Sequence, residues 1–219
     1  MPSMFRSCAV SGVPAIASPD GDGMMGPGRG CFIAIVGPSG AGKDTLLNWL
    51  KPRLEADPRL MFVRRAVTRD ADGATEDHAS LDRDAFAAHE DAGRFAVCWD
   101  AHGLRYGIPT EALHHVEKGG IAIANGSRRA LGEIERVFGD LVVVSLTVDR
   151  HVLAERLARR GRETADEIEK RLARSAETLP DCGRIVEIDN SGPVEQAGFA
   201  FLDLLRDEFR LKAPQSQEA

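Results

Sequence analysis

The chain has 219 residues, enough for one compact domain with a substantial core and small inserted elements. It is 43% hydrophobic and 28% charged, an ordinary globular make-up, and its net charge of -6 argues against a nucleic-acid or anionic-membrane partner. Four cysteines without a CxxC pair point to neither a zinc site nor a disulfide framework, and no apolar run nears the ~20 residues that span a bilayer.

Residues 1–29 mix Gly, Pro, Ser and Met without periodicity and read as a disordered leader. They faintly imitate a signal peptide, but Gly12 and Pro14 interrupt the apolar run. A start at Met24 or Met25 is an equally open reading. Residues 30–211 read as a single domain and 212–219 as a frayed polar tail.

From residue 31 short apolar runs alternate with helical stripes. Residues 31–36 form a continuous apolar run ending in a glycine-rich turn, the pattern of a fully buried strand. Leu46, Leu47, Leu50 and Leu54 follow at helical spacing. Residues 121–124 read as a second buried strand, leading through Asn125-Gly126 to a helix striped by Ala130, Leu131, Ile134, Val137 and Phe138. Residues 141–148 are the strongest strand, followed by a helix carrying Leu153 and Leu157, a short strand over 184–188 and a last amphipathic helix with Phe201 and Leu205. Such alternation predicts an α/β fold, a parallel sheet with helices on both faces. Cys31 and Cys98 lie in apolar surroundings and read as small buried hydrophobes.

Two stretches break the alternation. Residues 64–109 are polar, with only short strand-like pieces such as 95–99, and 159–166 is a charged link between helices. Both are candidates for binding elements laid over a rigid sheet, an insert and a lid.

Gly37-Pro38-Ser39-Gly40-Ala41-Gly42-Lys43 has the spacing of a phosphate-binding loop. Its glycines let successive backbone N–H groups converge on one anion, and the helix behind it offers unpaired donors and the positive end of its dipole. Lys43 would neutralise the β and γ oxygens of ATP. The position after the lysine, ordinarily a Ser or Thr that ligates Mg²⁺, is Asp44, with Thr45 next; either is a candidate metal ligand.

With this loop in hand, the chain resembles the guanylate kinase group of P-loop nucleoside monophosphate kinases. Val67-Thr68-Arg69 looks like its Thr-Thr-Arg, and Gly103-Leu104-Arg105-Tyr106-Gly107 like its Gly-x-Tyr-Tyr-Gly. The resemblance makes Arg69 and Tyr106 ligands of the acceptor phosphate, and Arg156, Arg160 and Arg171 lid arginines around the transferring phosphoryl group. The departures tell more. Val97 stands near the expected guanine-reading glutamate, Asn125 where an aspartate reads the base, Asp72 for a second phosphate arginine and His78 for a phosphate-binding tyrosine. A site without an acidic reader cannot pair the ring N–H groups of guanine.

One subgroup fits these departures, the ribose 1,5-bisphosphate phosphokinases of phosphonate breakdown. The chain is similar to them in Gly42-Lys43-Asp44, Thr68-Arg69-Asp70, Glu76-x-His78, Asn125-Gly126-Ser127-Arg128 and Arg160-Gly161-Arg162-Glu163. The resemblance implies ATP and Mg²⁺ as cofactors, a small sugar phosphate as acceptor and a cytoplasmic enzyme; a homodimer is left open. His78, His102, Arg105, Asn125 and Arg128 join Arg69 and Tyr106 as substrate-binding candidates. Other readings stand beside it: a nucleoside monophosphate kinase, or a guanylate-kinase-like module that binds partner proteins without catalysis. The arginines around 156–162 also suit a solvated helix end, His114-His115 reads as surface, and Trp99 as core or pocket wall.

Overall fold

The computed structural model describes residues 30–69, 78–101, 103–159, 169, 172 and 178–211. The predicted leader and tail, most of the 159–166 link, and the site candidates His102, Arg160 and Arg171 lie outside the described residues. In chain order the described elements begin β1 (Cys31–Val36), α1 (Lys43–Leu54), β2 (Leu60–Phe62), β3 (Ala66–Val67), β4 (Ala79–Ser80), α2 (Arg83–Asp91), β5 (Phe95–Ala101) and β6 (Leu104–Pro109). They continue with α3 (Thr110–Glu117), β7 (Ile121–Asn125), a 3-10 turn (Arg128–Ala130), α4 (Leu131–Phe138), β8 (Leu141–Thr147), α5 (Arg150–Arg159), β9 (Arg184–Asp189) and α6 (Val194–Phe209). None of the described helices is long and apolar enough to cross a membrane.

The main sheet runs β2-β7-β1-β8-β9 with every neighbouring pair parallel. Side chains alternate across β1, so Ile33 and Ile35 enter one core while Phe32, Ala34 and Val36 enter the other. Leu46 and Leu50 of α1 and Phe201 and Leu205 of α6 cover the first face. Leu113 and Val116 of α3 and Leu131 and Ile134 of α4 cover the second, where Phe32 and Phe138 meet at 4.4 Å. Both faces of β1 are therefore dry, which is why its sequence is apolar without a break.

The polar stretch over 64–109 holds more order than its sequence announces. Its described residues form a second sheet, β4-β3-β6-β5, with β3 and β4 parallel and the other pairs antiparallel. Helix α2, capped where Asp82 accepts from the Ala85 N–H at 2.7 Å, presses Phe86 onto Phe95 with ring centres 4.7 Å apart. Val97, Trp99 and Ile108 point the other way, into the second core of the main sheet. The second sheet is thus anchored to the first through shared packing. Cys31 is fully buried as expected, and Cys98 only half-buried beside the small Phe86 cluster.

Candidate active site

The loop leaving β1 turns directly into α1, whose N-cap is Gly42 and whose first turn has no side-chain cap. Its unpaired N–H groups face the loop, ready for an anion. Gly40 and Gly42 have φ of 92° and 86°, in the left-handed region that suits glycine. Close approach reinforces the choice. A Cβ on Gly40 would come within 3.0 Å of Leu153, and one on Gly42 within 2.7 Å of Asn190 Nδ2. Lys43 folds back, its Nζ donating to the carbonyls of Gly37 and Pro38 at 3.0 Å each.

Two elements wrap this loop. Helix α5 packs Leu153 and Leu157 on Gly40 and brings Arg156 Nη1 to 3.9 Å from where a Cβ on Gly42 would lie. Arg156 Nη2 donates to the Gly192 carbonyl at 3.4 Å, while its buried Nη1 has no hydrogen-bond partner among the described residues. Asn190, just past β9, donates to the Ala41 carbonyl at 2.6 Å and is 3% exposed. Its place at the carboxyl end of a parallel strand is the signal that could have found it.

Asp44, in the first turn of α1, accepts from the Asn125 side-chain amide at 2.7 Å, so the end of β7 fixes the carboxylate beside the loop. The exposed Thr45 stands next in the helix. Among the described residues no three His, Cys, Asp or Glu side chains cluster as a metal cage. A Mg²⁺ ion fits such a place when phosphates and waters complete its octahedron.

The candidate acceptor residues are carried by β3, β6 and the segments beside them. Thr68 locks β3 to β6, its N–H donating to the Arg105 carbonyl at 3.0 Å and its hydroxyl accepting from the Arg105 N–H at 2.8 Å. Val67 stands opposite Tyr106, and Tyr106 stacks on Trp99 with ring centres 5.3 Å apart and planes 8° from parallel. The half-buried Arg69 lies in the bend just past β3, its N–H donating to the Val67 carbonyl at 2.9 Å. His78 is buried, and neither ring nitrogen has a hydrogen-bond partner among the described residues. Arg128 sits half-buried in the 3-10 turn just after β7.

Arg105 is not brought to this cleft. It alternates with Tyr106 on β6 and lies on the α2 face, its guanidinium 4.9 Å from the Phe86 ring. Both oxygens of Glu90 pair with it at 2.7 Å, and that hydrogen bonding holds its pKa above the usual arginine value. Its guanidinium joins β6 to α2, apart from the expected substrate-binding place beside Tyr106.

Arg65, which the sequence reading did not single out, lies close to the Trp99 and Tyr106 rings. It is only 7% exposed, its guanidinium lies 5.6 Å from the Tyr106 ring and 6.0 Å from that of Trp99, and it lines one cleft with Asp44, Lys51 and Asn125. Period-two spacing ahead of Val67 and Arg69 was the available signal.

Comparison with known proteins decides the family. Residues 33–177 match the family model described as an AAA domain. Ribose 1,5-bisphosphate phosphokinase PhnN of Brucella melitensis is 48% identical over 179 residues, covering 82% of this chain and 93% of its own. The protein of the same name from Agrobacterium fabrum is 45% identical over 175 residues, covering 80% and 96%. The chain belongs to the ribose 1,5-bisphosphate phosphokinase family. It is a P-loop, ATP-dependent phosphotransferase, as the loop and the resemblance had implied. Guanylate kinase from Anaplasma phagocytophilum shares the fold, with a TM-score of 0.61 at 17% identity over 87% of this chain and 91% of its own.

Proposed function

We propose that this phosphokinase moves the γ-phosphoryl group of ATP onto the 1-phosphate of ribose 1,5-bisphosphate, giving 5-phosphoribosyl 1-diphosphate and ADP. The loop N–H groups and the α1 N-terminus hold the β and γ phosphates, and Lys43 leaves its two carbonyls to neutralise their oxygens. Arg156, already beside Gly42, meets the γ-phosphoryl group together with Arg160, in the lid stretch 159–166, and Arg171. Arg69 and Tyr106, on the insert around 64–109, hold the attacking phosphate, with His78, His102 and Arg128 as further candidate donors. An oxygen of the 1-phosphate forms the new P–O bond as the bond to the β–γ bridging oxygen breaks, its electron pair leaving on ADP. Mg²⁺, held by Asp44 and Thr45, supplies charge neutralisation at the phosphate oxygens.

The choice of acceptor rests on Asn125. At the position where the resembling kinases read a base, its amide is turned to Asp44. Val97, at the other reading position, is 1% exposed in the second core. Neither is a carboxylate, whose two oxygens could accept from both N–H groups on the guanine edge. A soluble metabolite of this kind suits a cytoplasmic enzyme needing neither nucleic acid nor membrane.

A side-by-side assay of ribose 1,5-bisphosphate, GMP, AMP and ribose 5-phosphate with ATP tests the reading. Turnover is expected with ribose 1,5-bisphosphate far above the others. Preference for GMP would make this a nucleotide kinase, and inertness toward all four would return the binding-module reading.

A further inference from the structure

We propose that Asn190 is a positioning residue for nucleotide binding, whose side chain holds the Ala41–Gly42 peptide in the orientation that keeps the Gly42 N–H for a phosphate of ATP. This rests on the phosphate loop and holds whichever acceptor the enzyme uses.

The first observation is the contact itself. Asn190 is 3% exposed, and its Nδ2 donates to the Ala41 carbonyl at 2.6 Å. Its Oδ1 has no partner among the described residues, so the carbonyl alone orients the amide; reversed, two oxygens would face each other. So close an approach needs a bare neighbour, since a Cβ on Gly42 would come within 2.7 Å of the same Nδ2.

The second observation is the geometry of the peptide unit. The described chain has no cis peptide bond, and the C=O and N–H of a trans unit point in opposite directions. With the Ala41 carbonyl turned to Asn190, the Gly42 N–H points away from it. Among the described residues that N–H has no hydrogen-bond partner. It is the donor immediately ahead of Lys43 and the first turn of α1, where a loop of this kind gathers its N–H groups on an anion.

The third is that Gly42 cannot hold itself. Its φ is 86°, but glycine takes either sign of φ about equally well, so the peptide before it can turn over at little intrinsic cost. Turned over, that peptide would aim the Ala41 carbonyl where its N–H had been, repelling a phosphate there. Asn190 supplies the restraint and is itself tethered. Its own N–H donates to the Thr147 carbonyl at 2.9 Å, one residue past β9, and the hydroxyl of Ser191 accepts from the Asp149 N–H at 2.9 Å.

The test reads the Gly42 N–H directly. The chain has only three Ala-Gly peptides, at 41–42, 92–93 and 197–198. Carbonyl-13C alanine with 15N glycine therefore gives three amide signals in an NMR spectrum that selects adjacent labels. In the full wild-type chain, ATP with Mg²⁺ should shift the Gly42 signal, with Gly93 and Gly198 as references outside the loop. Asn190→Leu, close in shape but without a donor, should lose that shift and bind ATP roughly ten- to hundred-fold more weakly, the scale of losing a hydrogen bond to a charged group. Gly93 and Gly198 signals at their wild-type positions report an intact fold; where Asn190→Leu displaces them, the comparison is made on Asn190→Ala. A Gly42 shift that survives in the folded variant, unweakened ATP binding, or a wild-type Gly42 signal indifferent to bound ATP would each overturn the role of Asn190.

Discussion

Asn125 donates its side-chain amide to Asp44 Oδ1 at 2.7 Å, tying the end of β7 to the first turn of the helix behind the phosphate loop. The pair puts a carboxylate of fixed orientation where this loop ordinarily carries a hydroxyl. Asn125 is 7% exposed, so exchange of its partner for water is restricted.

Asn125→Asp tests that coupling. Two carboxylates at hydrogen-bond distance cannot both stay ionised, and one pKa must rise. Above the raised pKa the charges repel and Asp44 turns away; below it, a shared proton restores an O–H···O bond. Activity of the variant should therefore recover as pH falls, relative to the wild type. A pH–rate profile that overlays the wild type would show that Asn125 does not position Asp44. Asp44→Ala should raise the Mg²⁺ concentration needed for half-maximal rate, and an unchanged titration would shift the metal role to Thr45.

The cationic cradle gives a second prediction. Lys43 reaches two loop carbonyls, and Arg156 overlies Gly42. Supplying such a cation to a phosphoryl-transfer transition state is worth ~10³-fold or more in rate. Lys43→Ala and Arg156→Ala should each lose turnover on that scale with melting temperatures near the wild type, and Arg160→Ala should follow. Near-normal turnover in both Lys43→Ala and Arg156→Ala would remove the cradle from the mechanism.

The main sheet was legible because its strands are buried on both faces and leave unbroken runs such as Cys31–Val36. The loop was legible because its chemistry demands fixed spacing. The second sheet was hidden for the opposite reason. β3 and β4 are two residues each, too short for alternation to register, and exist because β6 pairs with β3 and β3 in turn with β4. β2, three residues at the sheet edge, escaped likewise. In the candidate site, Arg69 and Tyr106 are named by motif residues, whereas Asn190 is marked only by what folds around it. Arg105 shows the converse, since neighbouring motif positions on a strand face opposite ways.

Val97 makes the loss of a base reader testable. It is 1% exposed and packs with Trp99 and Ile108 in the second core, so it is not an empty place in the cleft. Val97→Glu would bury a carboxyl among apolar side chains, costing roughly 3–5 kcal/mol if no partner forms. The expected outcome is a large drop in melting temperature without any gain of GMP phosphorylation. A stable Val97→Glu that phosphorylates GMP would mean that this position faces the cleft.

The last prediction concerns alkaline stability. Cys31 is fully buried at the start of β1, and burial pushes its thiol up from 9.0 to about 12. Repulsion from Asp140 and Glu208 adds to the rise, and a backbone hydrogen bond from Val142 opposes it. In the unfolded chain the thiol loses its proton near 9.0, while the folded protein keeps it until about 12. Between these values the folded state binds more protons than the unfolded one, so stability falls as pH rises, by about 1.4 kcal/mol per unit from this group. Below pH 9 the contribution is constant. Cys31→Val fills similar space without an ionisable atom and should flatten this part of the profile. The difference between wild-type and Cys31→Val unfolding free energies from pH 8 to 11 isolates the effect, because every other ionisable group is common to both proteins. Parallel curves would mean that the Cys31 thiol titrates alike in the folded and unfolded chains.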